Sequence, residues 1–440
     1  NVADFALWSV GAACVSTTTV LPLFVSHLTE NPIIIGLIPS LQFLGWRLPQ
    51  LFTGNLVERL PRKLPFVLTI SLNERAPILL LGLFVLLWEP LSNEVRLATV
   101  LGLLAWQAVG GGLVANAWQD MIAKIISPGH WGVFFGVGNA AGAVLGVGGA
   151  ALSGYILATY EYPRNFAYSF LVASFFLMLS WVALSLTVEP AKASTKPAVP
   201  FLAYMRELPG ILRAHRNFRV FLALRSFGTF SGMGSAFLAV QAARRYGVGD
   251  EAAALFTGVM LVSQAILNPI LGRAGDRRGH KALLGFSFWM QALSMVAAAL
   301  APTLTLFLAS FGLKAASDAV FMSSGMPIVF QFCREEDRPT FIGLANTLTA
   351  PPLVIAPLVG GVLAGAMDYV AVFWVSAILA VVSAVAWNRF LVDPREARHA
   401  DSVPSPVRAG TSGSTSQLGG VQHAQSDQHL GVHIRQEPGG

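Results

Sequence analysis

Ionisable side chains stand inside stretches that are otherwise apolar: Arg47, Glu74, Arg75, Asp120, Arg225, Lys314 and Asp318. Such residues cost about 2.5–3.5 kcal/mol each at bilayer depth and are functional candidates by default. Lys314 and Asp318 are four apart, share one helical face and can pair. Alternatively the Asp318 carboxyl carries a proton, since burial disfavours its charged form, although an adjacent Lys opposes that. Arg225 can hold an anion through two parallel N–H bonds, or reach Asp120 as a bridge. Arg47 lies 14 residues before a turn near residue 61, and Glu74 lies 13 after it. Equal depth predicts an Arg47–Glu74 ion pair. Gln107, Asn116 and Gln119 add neutral polarity, as apt for interhelical hydrogen bonds as for solute contacts.

The same inventory excludes other chemistry. There is no nucleophile–base arrangement and no metal constellation, so neither catalytic nor metal-ligating residues are expected. Cys14 and Cys333 form no disulfide framework. "GVGNAAG" (136–142) has no strand before it and no P-loop Lys. An enzyme, a bound cofactor and an ATP-driven pump are therefore not expected.

Charge also concentrates in two short stretches of one layout. "GNLVERLPRK" (54–63) places Gly54, Glu58, Arg59, Arg62 and Lys63. "GRAGDRRGHK" (272–281) places Gly272, Asp276, Arg277, His280 and Lys281 at the same spacings. A second repeat pairs "FFGVGN" (134–139) with "FIGLAN" (341–346). Parallel six-helix halves are a recurring architecture of secondary transporters.

The elements that must position these residues are membrane helices. The chain has 440 residues, 54% hydrophobic and 12% charged, with mean hydropathy +0.61. A soluble domain carries about 25% charged residues, so most of this surface does not face water. About 20 apolar residues cross a bilayer. Twelve spans fit, roughly 5–26, 33–56, 65–88, 97–125, 133–158, 166–188, 218–242, 252–273, 282–301, 303–332, 340–365 and 368–391. With the N-terminus inside, inner loops hold Arg59, Arg62, Lys63, Lys124, Lys192, Lys196, Arg206, Arg213, Arg216, Arg273, Arg277, Arg278, Lys281, Arg334 and Arg338. Outer loops hold only Arg96, Arg164, Arg244 and Arg245. The positive-inside rule selects that orientation, and the net charge of +6 belongs to those loops, not to nucleic-acid binding. The expected organisation is a six-helix bundle over 1–188, a cytoplasmic linker over 189–217 and a second bundle over 218–391. A polar tail over 392–440, Ser-, Gly-, Gln- and His-rich, is expected to be disordered.

Twelve spans, a central basic linker and G-x-L-x-(D/E)-R-x-x-(R/K)-(R/K) after span 2 resemble the major facilitator superfamily. The likeness covers roughly residues 5–391. Two departures stand out: Glu58 in place of Asp, and Pro61 in place of Gly. The resemblance implies an all-α fold of two pseudo-symmetric six-helix bundles. It implies that each charged turn is a cytoplasmic gate, Glu58 facing the start of span 11 near Arg338 and Asp276 the start of span 5. The alternative is that these cations only enforce topology, the preferred reading for Lys63 and Lys281. Spans 4, 7 and 10 line the central cavity in the family, which brings Gln107, Asn116, Asp120, Arg225, Lys314 and Asp318 to a substrate or proton path. Span 3 is peripheral there, so Arg47–Glu74 would be structural. Antiporters of the family carry G-P-x-x-G-G in helix 5. Here Val147 follows Gly146, and the nearest element is "APLVGG" (356–361) in span 11. Glycines 138, 142 and 146 read as close helix packing, and Pro351, Pro352 and Pro357 as a hinge. The function implied is a monomeric secondary transporter of the bacterial inner membrane, both termini cytoplasmic. Proton-coupled efflux of a drug-like or metabolite compound comes first and import of an organic anion second. A non-transporting sensor or lipid scramblase is the alternative class.

Overall fold

The computed structural model describes residues 1–58, 60–126, 131–191, 210, 212–333 and 338–395. Its elements are helical, in twelve membrane segments. Segment α1 is broken into Val2–Cys14 and Val20–Ser26. Then come α2 (Pro32–Glu58), α3 (Leu64–Ile70 and Leu72–Leu87), α4 (Asn93–Ile125), α5 (Trp131–Thr159) and α6 (Arg164–Ser185). Segment α7 is Arg216–Thr229, a 3-10 stretch Phe230–Phe237, and Leu238–Tyr246. It is followed by α8 (Ala252–Arg278), α9 (His280–Leu300), α10 (Leu304–Ser324 and Pro327–Phe330), α11 (Arg338–Ala366) and α12 (Tyr369–Phe390). Nine of these, α3–α6 and α8–α12, are long and apolar enough to cross a membrane by length and composition. The break in α1 falls on Ser16 and Thr17–Thr19, whose side chains compete for backbone hydrogen bonds. The break in α7 follows Gly232 and Gly234, residues that weaken a helix interior.

The side on which residue 1 lies is the first side, and α1 ends at the second. Segments α1–α6 form set one and α7–α12 set two. In set one α2 packs on α4, and α1 on α5 and α6; in set two α9 packs on α10 and α12. The sets meet along α2 with α11 and α5 with α8. Glycines permit these approaches. A methyl on Gly36 would stand 2.4 Å from the Pro357 carbonyl oxygen, so α2 and α11 touch backbone to backbone. In α5, Gly142 and Gly149 lie against Ser9 and Val10 of α1, as the small-residue stripe implies. Despite its three prolines, α11 remains a single helix. Large apolar side chains such as Leu87, Phe175 and Leu186 point outward, more than 60% exposed. So broad an apolar exterior suits lipid.

The two charged turns differ. The second is one residue, Gly279 at φ +96°, between α8 and α9. The first lies between Glu58, the last residue of α2, and Leu64, the first of α3, and has Pro61 where its twin has Gly279. Proline is fixed near φ −65°, so the first turn cannot copy the second and needs more residues.

Candidate functional site

Three charges of set one, Asp4, Glu74 and Arg75, meet in one network around the buried Asp4 and Arg75. Asp4 of α1 accepts from Ser180 of α6 at 2.6 Å. Arg75 of α3 donates through Nε to the Leu177 carbonyl (3.0 Å), through Nη1 to the Ser71 carbonyl (3.1 Å) and through Nη2 to Ser180 (3.4 Å). Its Nη1 lies 3.6 Å from Glu74. Glu74 accepts from Trp8 Nε1 of α1 at 3.4 Å, and Trp118 of α4 also faces Asp4. Asp4 and Glu74 act on each other's charge. Two carboxyls therefore share one guanidinium.

This corrects the expected Arg47–Glu74 pair: Glu74 is served by Arg75 and Trp8. The cause is azimuth. Arg47 follows Ser40 by seven residues and Gly36 by eleven, so all three share one face of α2. On that face Gly36 meets Pro357, and Ser40 donates to the Val354 carbonyl of α11 at 2.7 Å. Arg47 thus stands on the edge turned to set two. Its guanidinium lies 5.4 Å from the Trp46 ring, and no carboxylate pairs with it among the described residues.

Arg225 of α7 donates to the Gly325 carbonyl at the break in α10, at 3.2 Å, and lies 5.8 Å from the Phe221 ring. It too has no carboxylate partner among the described residues, and it lies within range of the Arg47 charge. The Asp120–Arg225 bridge, one of two alternatives for Arg225, is not formed among the described residues. Asp120 pairs with Lys63 at 2.8 Å, because both sit at the first-side end of set one. In α10, Lys314 binds both oxygens of Asp318, so that pair neutralises itself. Gln107 accepts from Gln42 at 2.9 Å, and Asn116 donates to the Gln50 carbonyl at 2.7 Å. Both tie α4 to α2, not to set two. In α8 the Asn268 side-chain oxygen is buried without a partner.

The gate motif is described in part. Lys63 is buried. Glu189 accepts from the backbone N–H of Lys63 and of Leu64, both at 2.7 Å, and from Lys124 at 2.9 Å. It thereby caps the start of α3. Arg62 and Arg277 are exposed, and Gly272 has open space around it. Arg59 and the side chains of Gly54, Glu58, Asp276 and Arg338 lie outside the described residues.

The second side carries a constellation that the sequence did not disclose. His27, after α1, lies 2.7 Å from Asp250, before α8. Asn165 of α6 donates to the other Asp250 oxygen at 2.8 Å. Thr19 and Thr257 share a 2.5 Å hydrogen bond, and Thr18 donates to the Met260 sulfur at 3.8 Å. Tyr162 stacks on His27 at 4.6 Å, and burial pushes its hydroxyl up to about 12. Between described residues, the hydrogen bonds joining the sets lie toward this side. The available signal was positional: His27 and Asp250 flank corresponding loops of the two repeats.

These features define an all-helical, multi-pass membrane protein. The Major Facilitator Superfamily model matches residues 220–417 of this chain. An uncharacterized MFS-type transporter of Bacillus subtilis (strain 168), YvkA, is 24% identical over 118 residues. That stretch spans 27% of this chain and 27% of the relative. Among solved structures, a mutant of the nucleoside transporter NupG aligns with TM-score 0.71 at 12% identity, over 88% of this chain and 99% of that one. An inward-facing bacterial homolog of the human lysosomal transporter Spinster aligns at 0.66 and 14%, over 89% and 96%. A D-xylose-proton symporter aligns at 0.68 and 13%, over 90% and 97%. At such identities the likeness is one of fold.

Proposed function

We propose that this protein is a secondary active transporter, not an enzyme, that moves a small organic solute by alternating access and is coupled to protons. The first side is assigned to the cytoplasm from the Lys and Arg distribution. On this reading both termini lie on the cytoplasmic side of a bacterial inner membrane. Solved proteins of this fold include a D-xylose-proton symporter, which supports a gradient-driven mechanism.

The observation that carries proton coupling is the Asp4–Arg75–Glu74 network. Two ionised carboxyls beside one guanidinium leave a net negative charge in a medium of low dielectric. A proton held by the pair removes it. Asp318 is the weaker candidate, since Lys314 already neutralises it. The groups around the acids come from four elements: Trp8 on α1, Arg75 on α3, Trp118 on α4 and Ser180 on α6. Segment α1 links this proton site to the second side, where its outer half bonds to α8. Protonation that loosens α1 from α3 and α6 therefore acts on the contacts that close the outer face.

The test is proton movement in proteoliposomes loaded with a pH dye, screened with drugs and organic acids. Solute-evoked flux should persist in Asp318→Asn and disappear in Asp4→Asn or Glu74→Gln. Flux lost only in Asp318→Asn would return the proton to α10, and flux intact in all three variants would remove proton coupling through any of these carboxyls.

A further inference from the structure

We infer that Arg47 and Arg225 form a two-arginine site for an anionic group, and that the transported solute is a carboxylate or phosphate-bearing anion. The inference rests on the transporter reading for the word transported; the anion site itself does not. The argument is one of charge balance. Arg75 has Asp4 and Glu74 around it, and Lys314 has Asp318. Among the described residues, Arg47 and Arg225 alone of these interior cations have no acid, although guanidinium does not give up its proton in proteins.

Position makes the pair a site. Arg47 is 11 residues from the first-side end of α2, and Arg225 nine from that end of α7. At 1.5 Å per residue both lie roughly 15 Å in. Arg47 occupies the α2 edge turned to set two; on that edge Gly36 also meets the Phe237 ring of α7, and Arg47 and Arg225 follow that contact toward the first side along α2 and α7. The two cations therefore stand at similar depth on opposite sides of the boundary between the sets. Each stands by an aromatic ring, which backs a guanidinium without neutralising it. Each has donors to spare: Arg225 spends one N–H on Gly325, and Arg47 makes no hydrogen bond among the described residues. Two planar forks with free donors suit a carboxylate or phosphate. An anion bound between them cancels their mutual repulsion and draws the sets together.

The same chemistry is offered by an anionic lipid headgroup, so the test has two arms. Purified protein in neutral detergent is unfolded by heat with acetate, succinate, benzoate or inorganic phosphate, against chloride at equal ionic strength. At least one of these soluble anions should raise the melting temperature by several degrees. The shift should vanish in Arg47→Gln and in Arg225→Gln, and be partly kept in Arg225→Lys. Without added anion, Arg47→Gln should leave the melting temperature unchanged or higher, because it removes repulsion. No shift with any of the four anions overturns the proposal, as does a fall in Arg47→Gln alone, which would reveal a structural partner. Stabilisation only by phosphatidylglycerol overturns the cargo and assigns the arginines to lipid. Anion binding with no solute flux in proteoliposomes would sink the transporter reading and keep the site. Flux of a neutral or cationic solute with no anion binding would do the reverse.

Discussion

At Arg75, Nε and both Nη atoms are engaged inside the protein, on Leu177, Ser71 and Ser180, with Glu74 nearby. Removing one partner of a buried charged group costs about 3–5 kcal/mol, since the others are left uncompensated. Arg75→Met is therefore expected to destabilise by that order. Asp4→Asn with Glu74→Gln in the same chain should recover much of it, because no charge is then stranded. Thermal unfolding of the three chains checks this, and no recovery in the triple variant would show that the loss came from packing. Tyr162 gives a pH signature on the second side. Its hydroxyl titrates near 12 in the folded protein, against about 10 in an unfolded chain. The folded state holds the proton more tightly, so this contribution is complete below pH 10 and is lost as pH rises toward 12. Tyr162→Phe should flatten that alkaline fall in melting temperature. The identity of the interior charges was legible in the sequence, but their partners were not. Arg47 and Glu74 do sit at similar depth; only the turn of α2 about its axis, set by packing on α11, separates them.

At the scale of the helix, close contact decides more than propensity. Gly36 and Gly102 are both helical glycines, with opposite surroundings: a Pro357 carbonyl against the first, and nothing within 4 Å of the second. Gly36→Ala must push α2 from α11 and should destabilise by on the order of 1–3 kcal/mol. Gly102→Ala should be neutral or gain up to about 1 kcal/mol. Equal losses in heat denaturation would mean that the α2–α11 joint yields freely. Apolar runs disclosed where the segments lie, because hydropathy sums over a whole span. They did not disclose that α1 and α7 are broken, since Ser16–Thr19 and Phe230–Phe237 change the hydrogen-bond pattern without lowering hydropathy much. The repeated turn was legible as charge. That one copy turns on a single glycine at φ +96° and the other does not was not legible as charge; the difference rests on Pro61, which stands where its twin has Gly279.

At the scale of the molecule, alternating access requires one face to close while the other admits solute. Between described residues, the bonds joining the two sets gather toward the second side, and Asp250 is their hub. One of its oxygens meets His27 of the α1–α2 loop, and the other takes Asn165 of α6. The link was invisible in the sequence, where 223 residues separate His27 from Asp250 and only the folded repeat makes them neighbours. Behind it lie Thr19–Thr257 and then Met260, 9% exposed. If this stack seals the second side, Asp250→Ala removes both of its outermost bonds and leaves the threonine pair behind them, with the Ser40–Val354 bond deeper between the sets. A reporter follows from the chain's own chemistry. Cys14 and Cys333 are buried, so Met260→Cys can be placed in a background with both changed to alanine. A membrane-impermeant maleimide added from the second side should then label residue 260 slowly in the parent, and several-fold faster once Asp250→Ala is added. Equal rates in the two proteins would mean that the second side stays closed without Asp250, with the His27–Asp250–Asn165 cluster a loop contact above a seal that does not need it.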